Sequence, residues 1–253
     1  MKKTLFTLIA LLLAGYASAQ TDTSGRTLYR ATPEKKTALK HTKLKVSFNF
    51  NNQTLNGEEW LTAAPYFYPT DSLILDAKAM LIHKVALDLN GKQQPLSFSY
   101  KKDMLRIKLN KTYQKNEKYT VYIQYTAQPE KVTDKGSRAI SDAKGLYFIN
   151  PTAEKDGPMR QVWTQGETEG SSCWFPTIDK PNQKTTQEIE ITVPNSFVTL
   201  SNGILKGSLK KGNLRTDRWV MEKPHAPYLF FMGAGEFAVV KDTPWRGKVP
   251  IEY

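Results

Sequence analysis

Apolar side chains alternate with polar ones at a period of two in many separate segments of this sequence. Residues 44–50 (LKVSFNF), 81–89, 119–125 and 189–193 all follow this pattern. Strand side chains point alternately to opposite faces of a sheet, so the pattern indicates strands with one buried face. Helical periodicity of more than one or two turns is absent after residue 19. The sequence therefore predicts an all-β domain of about a dozen strands, built on a large saddle- or sandwich-like sheet with mixed or antiparallel pairing.

Turn chemistry separates these segments. Asn90-Gly91 lies between two alternating runs and predicts a hairpin, because both residues tolerate the positive φ that a tight turn requires. Residues 127–144 and 150–160 are polar and predict loops. The continuous apolar run 228–233 (YLFFMG) predicts a central, buried strand.

The N-terminus has the three-part pattern of a secretory signal peptide. A basic start (MKK) precedes the apolar run 5–15, and a small-residue cleavage site (ASA) ends at Ala19. The apolar run is shorter than the ~20 residues that cross a bilayer, so no membrane span is expected. The sequence predicts an exported protein, periplasmic or secreted, with three parts: a signal peptide at 1–19, a flexible arm at 20–40 and one β domain at 41–253.

The charged residues and the single cysteine exclude some classes of function. The net charge is +12, but the lysine pairs are scattered along the chain, which disfavours a nucleic-acid partner. Cys173 has no second cysteine to pair with, and a catalytic thiol needs a histidine placed beside it. The three histidines, His41, His83 and His225, are far from Cys173 in sequence. We therefore interpret Cys173 as a buried thiol without a catalytic role.

One stretch, residues 163–181 (WTQGETEGSSCWFPTIDKP), differs from the alternating segments and is the candidate functional site. Gln165 and Glu167 are two residues apart, so they project to one face if the backbone is extended. A carboxylate beside a neutral amide suits a ligand that carries an ammonium group. The alternative is a Gln and a Glu on the surface of an edge strand.

The stretch resembles the N-terminal domain of the aminopeptidase N family of zinc metallopeptidases. The residues that carry the resemblance are Thr164-Gln165-Gly166-Glu167 and the run FPTIDKP at 175–181. The flanks agree: VP at 193–194 precedes LSNG at 200–203, and YLF at 228–230 precedes a final GEF. The resemblance extends from about Leu44 to Tyr253.

This resemblance implies a role for each residue of the stretch. Glu167 binds the free α-amine of a peptide substrate, and Gln165 lines the pocket for its first side chain. Pro176, Asp179 and Pro181 hold the loop. Trp174 and Phe175 are expected in the core rather than in contact with substrate. Two positions depart from the family pattern: many members have Arg where this chain has Ser172, and Cys where it has Thr177.

The resemblance also implies that the chemistry belongs to a second domain. In the family, a thermolysin-like domain holds a catalytic zinc through His-Glu-x-x-His and a distal Glu, and contributes Gly-x-Met-Glu-Asn to amine binding. None of these motifs occurs in this sequence. We therefore expect neither catalytic nor metal-binding residues here. The chain alone is expected to be an inactive substrate-recognition domain of an exported zinc aminopeptidase, with the thermolysin-like domain as its partner.

Two other readings are compatible with the same residues. A stand-alone exported module with this fold would bind peptide N-termini or a surface partner without hydrolysing anything. A structural β-sandwich adhesion domain would have no pocket at all. Glu167 separates them, since only the recognition readings place it at a binding surface.

Overall fold

A computed structural model describes residues 34–133, 142–245 and 249–252. The chain from Lys35 onward forms one compact unit. The predicted signal peptide and residues 20–33 of the predicted arm lie outside the described residues. No helix in the described part of the chain is long and apolar enough to cross a membrane.

The described residues form seventeen strands and three short 3₁₀ helices, which confirms the all-β class. The strands are β1 (Thr37–Asn49), β2 (Thr54–Pro65), β3 (Thr70–Asp76), β4 (Met80–Leu89), β5 (Lys92–Pro95), β6 (Phe98–Lys101), β7 (Met104–Tyr113), β8 (Tyr119–Ala127), β9 (Leu146–Ile149), β10 (Gln161–Thr164), β11 (Thr185–Pro194), β12 (Val198–Ser201), β13 (Ile204–Lys211), β14 (Leu214–His225), β15 (Met232–Gly235), β16 (Lys241–Trp245) and β17 (Val249–Glu252). The 3₁₀ helices are Pro129–Lys131, Ser171–Cys173 and Pro227–Leu229.

A large mixed sheet dominates the domain, as predicted. Its eight strands are ordered β13-β14-β11-β1-β2-β8-β4-β5. β1 pairs in parallel with β11 and antiparallel with β2, so both hydrogen-bonding edges of β1 are paired. The smaller sheets are β12-β15-β10-β9, β3-β7-β6 and β16-β17. The hairpin predicted at Asn90-Gly91 joins β4 to β5, and both turn residues have positive φ, 56° and 89°.

Alternation decides which face of the large sheet is buried. In β1, Leu44 and Val46 are 0% and 2% exposed, whereas Lys43 and Lys45, which alternate with them, are partly exposed. The outer face carries ion pairs. Glu188 on β11 accepts hydrogen bonds from Arg218 at 2.7 Å and from Lys43 at 2.6 Å. The Arg218 guanidinium, followed by the Lys43 ammonium, lowers the pKa of Glu188 to about 2.

The core contains the aromatic residues of the candidate stretch, as the sequence predicts. Trp174 and Phe175 are each 0% exposed. The ring of Phe175 stacks on Phe230, with centroids 5.2 Å apart and planes 15° apart. This contact joins the stretch 163–181 to the chain segment that precedes β15. Burial of such rings supplies much of the hydrophobic stabilisation of the domain.

One carboxyl group lies inside this apolar core. Glu59 on β2 is 0% exposed, and neither of its carboxyl oxygens has a hydrogen-bond partner among the described residues. Burial raises its pKa well above the usual value, because an apolar environment disfavours the charged form. The nearby residue Tyr125 on β8 is also buried. Its ring covers Gly57, and a Cβ added to Gly57 would lie 2.2 Å from that ring. Glycine is required there by the position of the tyrosine ring.

Two boundaries differ from the predictions. β1 begins at Thr37, so residues 37–40 of the predicted arm belong to the sheet; Ala38 and Leu39 are buried, which gives this segment a reason to pair. The run 228–233 is not one strand. Pro227 starts a 3₁₀ turn in which Phe230 donates its N–H to the Pro227 carbonyl at 2.8 Å, and β15 begins only at Met232. Within its sheet, β15 is central, as expected for the apolar run.

Candidate functional site

β10 delivers the candidate stretch, and it is an interior strand. It pairs with β9 on one side and β15 on the other. The chain then leaves the sheet, with the Gln165 N–H donating to the Gly145 carbonyl at 3.0 Å. The alternative in which Gln165 and Glu167 lie on an edge strand is therefore wrong. Because β10 is fixed from both sides, the residues directly after it have little freedom of position.

Two glycines form the turn after β10. The Gly170 N–H donates to the Gly166 carbonyl at 2.8 Å, which closes the turn. Gly166 is buried, and a Cβ added to it would lie 2.2 Å from the Tyr228 carbonyl oxygen. Backbone therefore packs against backbone at this point, and a side chain does not fit. The peptide bond between Glu167 and Thr168 is cis.

Because of this turn, Gln165 and Glu167 lie in different environments. Gln165 is half-buried and Glu167 is exposed. The strand ends at Thr164, so the two side chains do not share one face of an extended segment, as the sequence pattern alone would have them do. Neither side chain makes a hydrogen bond or ion pair with a described residue. Both are therefore available to a ligand.

Several polar side chains further along the loop, in contrast, form hydrogen bonds. Ser171 Oγ donates to the Pro227 carbonyl at 2.7 Å, and Ser172 Oγ donates to the Glu169 carbonyl at 3.1 Å. Lys180 Nζ lies 2.5 Å from Glu169 Oε1 and bridges the two arms of the loop. These bonds hold the backbone that carries Glu167, since each fixes a residue within a few positions of it.

Asp179 is the buried anchor of the loop. It is 2% exposed, and its Oδ2 accepts a hydrogen bond from the Ser172 N–H at 2.8 Å. Its Oδ1 has no partner among the described residues. Burial raises the pKa of Asp179 to about 6, against the opposing effect of the Ser172 N–H.

The two prolines of the run differ in environment. Pro176 is buried, among the core residues that surround Phe175. Pro181 is exposed, in the turn that leads to β11. Both fix φ near −65° and so restrict the loop backbone in different places.

Two residues outside the stretch also position the loop, and sequence reasoning missed both. Asp76, at the end of β3, forms a two-bond backbone bridge with Thr177 and accepts the Asp179 N–H on its Oδ2 at 3.0 Å. Lys78 donates its backbone N–H to the Ser172 carbonyl at 2.7 Å and its ammonium to the Glu169 carbonyl at 3.1 Å. Both lie about a hundred positions earlier in the chain. No local sequence signal marks such contacts.

The described residues do not form a zinc site. His41 bonds Thr186, His83 bonds Thr126 and His225 bonds Gln187, so each histidine lies with a different partner. No group of three or more His, Cys, Asp or Glu residues in the described ranges is placed to hold a metal. Cys173 is buried, with Sγ 3.4 Å from the Ala143 carbonyl.

Comparison with known proteins identifies relatives of the chain. A sequence profile for the Peptidase M1 N-terminal domain matches residues 38–229. Leukotriene A-4 hydrolase from Xenopus laevis is 26% identical over 235 residues, which are 88% of this chain and 36% of the hydrolase.

Solved structures share the fold. The crystal structure of M1 zinc metallopeptidase from Deinococcus radiodurans has a TM-score of 0.71 at 15% identity, over 89% of this chain and 48% of that one. A mutant of the Deinococcus radiodurans peptidase, bound to a Tyr-Ser-Ala substrate, has a TM-score of 0.69 at 17% identity, over 85% and 46%. The chain therefore spans about a third to a half of the length of these relatives.

Proposed function

The chain belongs to the Peptidase M1 N-terminal domain family, and from this premise we propose that it is the substrate-recognition domain of an exported zinc aminopeptidase. In this role it binds the N-terminal end of a peptide and leaves hydrolysis to a thermolysin-like domain. The solved relative that carries a Tyr-Ser-Ala substrate supports a peptide as the ligand. The signal-peptide pattern at residues 1–19 supports export.

The observation that carries the proposal is the contrast within the loop. Glu167 is exposed and has no partner among the described residues, while Glu169, Ser171, Ser172 and Asp179 around it are bonded. A carboxylate presented on a fixed backbone is suited to a ligand cation, because no existing bond has to break when the pair forms. Gln165, half-buried beside it, offers an amide donor and acceptor to the same ligand.

The chain's own contribution is binding and orientation. The charged α-amine of a peptide pairs with the Glu167 carboxylate, which fixes the first residue and disfavours internal segments, since these have no α-ammonium group. Gln165 contacts the first residue and limits its position. Zinc, if held by the second domain, would supply Lewis-acid activation of a water there. The described residues of this chain do not fit that metal, and the proposal assigns its ligands to the second domain.

The test uses the complete gene product and Leu-p-nitroanilide, with Glu167→Gln as the variant. The substitution removes the charge and keeps the shape of the side chain. We expect kcat/KM to fall at least tenfold, or about 1.4 kcal/mol, with the N-acetylated substrate left uncleaved by both proteins. Glu222→Gln is the matched control, because Glu222 on β14 is also exposed and has no described partner. Unchanged kcat/KM in Glu167→Gln would exclude the assigned role of Glu167.

A further inference from the structure

A cavity of about 470 Å³ opens at the far end of β10 from the candidate loop. Its walls come from the end of β1 and the turn after it, from β11 and the segment after that strand, and from Arg160, which immediately precedes β10. The volume lies in the range of sites for small molecules. Arg160 and Glu167 are on opposite sides of the four residues of β10, so the cavity and the loop are separate sites.

One side of the cavity is aromatic. Phe50 is 8% exposed and Phe197 is 2% exposed, and their rings contact edge to face with centroids 5.6 Å apart. Phe48 completes this wall, 6.4 Å from Phe50. All three rings line the cavity. Phe48 is the partly exposed member of this wall, so an apolar ligand body in contact with it removes apolar surface from water.

Arg160 is the only charged residue among those lining the cavity. Its guanidinium carbon lies 4.3 Å from the centroid of the Phe50 ring, a cation–π contact that fixes the plane of the group. Nε is shielded from solvent and has no hydrogen-bond partner among the described residues. A shielded donor without a partner is uncommon in folded proteins and requires an explanation. A ligand acceptor can reach Nε only if the side chain moves, whereas Arg160 itself lines the cavity.

The remaining polar lining is neutral. Asn49, Asn51 and Asn56 contribute amides, and Ser47 and Thr192 contribute hydroxyls. The lining has no Asp or Glu that could neutralise Arg160, and none of the described acidic residues forms an ion pair with it. The positive charge in the cavity is therefore uncompensated, which favours an anion.

We propose that this cavity binds a small carboxylate with an apolar body. The carboxylate pairs with the guanidinium edge of Arg160, whose planar fork donates to two carboxylate oxygens at once. The apolar body lies against Phe48, Phe50 and Phe197. The asparagine amides of the lining donate to the same carboxylate oxygens.

The test measures binding of phenylacetate to the whole chain, with phenylacetamide as a neutral probe of the same shape. Titrations are followed by the Arg160 side-chain Nε–H signal in ¹⁵N NMR. We expect phenylacetate to bind at least tenfold more tightly than phenylacetamide and to shift that signal. Acetate, which lacks the apolar body, should bind at least tenfold more weakly than phenylacetate.

Variants test whether the positive charge of Arg160 is responsible for phenylacetate binding. Arg160→Gln should lose at least tenfold in phenylacetate affinity, and Arg160→Lys should retain part of it. Arg106→Gln is the control, since Arg106 is exposed on β7 in a different sheet. Equal affinity for phenylacetate and phenylacetamide would overturn the proposal without any variant. Wild-type affinity in a folded Arg160→Gln protein, or shifts confined to residues outside the cavity, would do the same.

Discussion

The carboxylate of Asp179 accepts the backbone N–H of Ser172 at 2.8 Å inside the core. The bond joins the two arms of the loop that presents Glu167, and it places a titratable group where water cannot reach it. Protonation of Asp179 consequently changes the acceptor that holds the two arms of the loop together.

Protonation of Asp179 should make stability depend on pH. Its pKa of about 6 in the folded protein lies above the usual value for Asp of ~3.9, so the folded state holds the proton more tightly. The proton on Asp179 therefore contributes about 3 kcal/mol to the free energy of unfolding below about pH 4. This contribution is lost as pH rises through about 6. In Asp179→Asn the side chain cannot ionise, so this part of the pH dependence of the free energy of unfolding should be absent. Urea unfolding at a series of pH values measures it. An identical slope in both proteins would contradict the assignment.

Glu59→Leu should stabilise the domain. The substitution removes two buried oxygens that have no described partner and keeps an apolar volume in the core. Because the folded state raises the pKa of Glu59, its cost grows as pH rises above the usual pKa of Glu. We expect a gain of about 1–3 kcal/mol at neutral pH and a smaller one in acid, measured by thermal unfolding. A lower melting temperature at both pH values would show that Glu59 has a partner in solution.

Gly166→Ala should disturb the loop without a change of charge. The added methyl group meets the Tyr228 carbonyl at 2.2 Å, so the turn or the segment at Tyr228 must move. We expect a loss of about 1–3 kcal/mol in the free energy of unfolding, together with a higher KM in the complete protein. Gly207→Ala is the control, because nothing lies within 4 Å of its added Cβ. Equal losses in the two variants would show that the close packing at Gly166 has no energetic effect.

Glu188→Gln should destabilise the outer face of the large sheet. Arg218 and Lys43 lower the pKa of Glu188 to about 2, so the ion pairs stabilise the fold above the usual Glu pKa of ~4.3 and cease to do so as pH falls towards 2. We expect a loss of about 2 kcal/mol near neutral pH, reduced by salt and absent near pH 2. Denaturant titrations of wild type and variant across this range measure it. A loss that persists in acid would point to packing rather than charge.

Most of the fold could be predicted from local patterns in the sequence. Alternation in 44–50 and 119–125 predicted which face of each strand is buried, and Asn90-Gly91 predicted its hairpin from backbone preference alone. Burial of Trp174 and Phe175 followed from their size and polarity. These features depend on near neighbours in the chain, which is why one sequence suffices.

Contacts between distant segments were not predictable in this way. Asp76 and Lys78 fix the loop from about a hundred positions away, and nothing in their surroundings in the sequence marks them. The run 228–233 looked like one strand because it is apolar throughout, yet Pro227 imposes a turn at its start. The orientation of Glu167 also depended on where β10 ends, and strand ends are poorly marked in sequence.

The parallel pairing of β1 with β11 has a consequence for biosynthesis. Partners in this pairing are about 145 positions apart, so β1 leaves the ribosome long before β11 exists. Until then one side of β1 remains an open edge able to pair with another chain. Distant pairing of this kind slows folding, because the intervening chain must be closed first. The nascent domain is thus most exposed to aggregation during synthesis of β2 to β10, and holding chaperones should act in that interval.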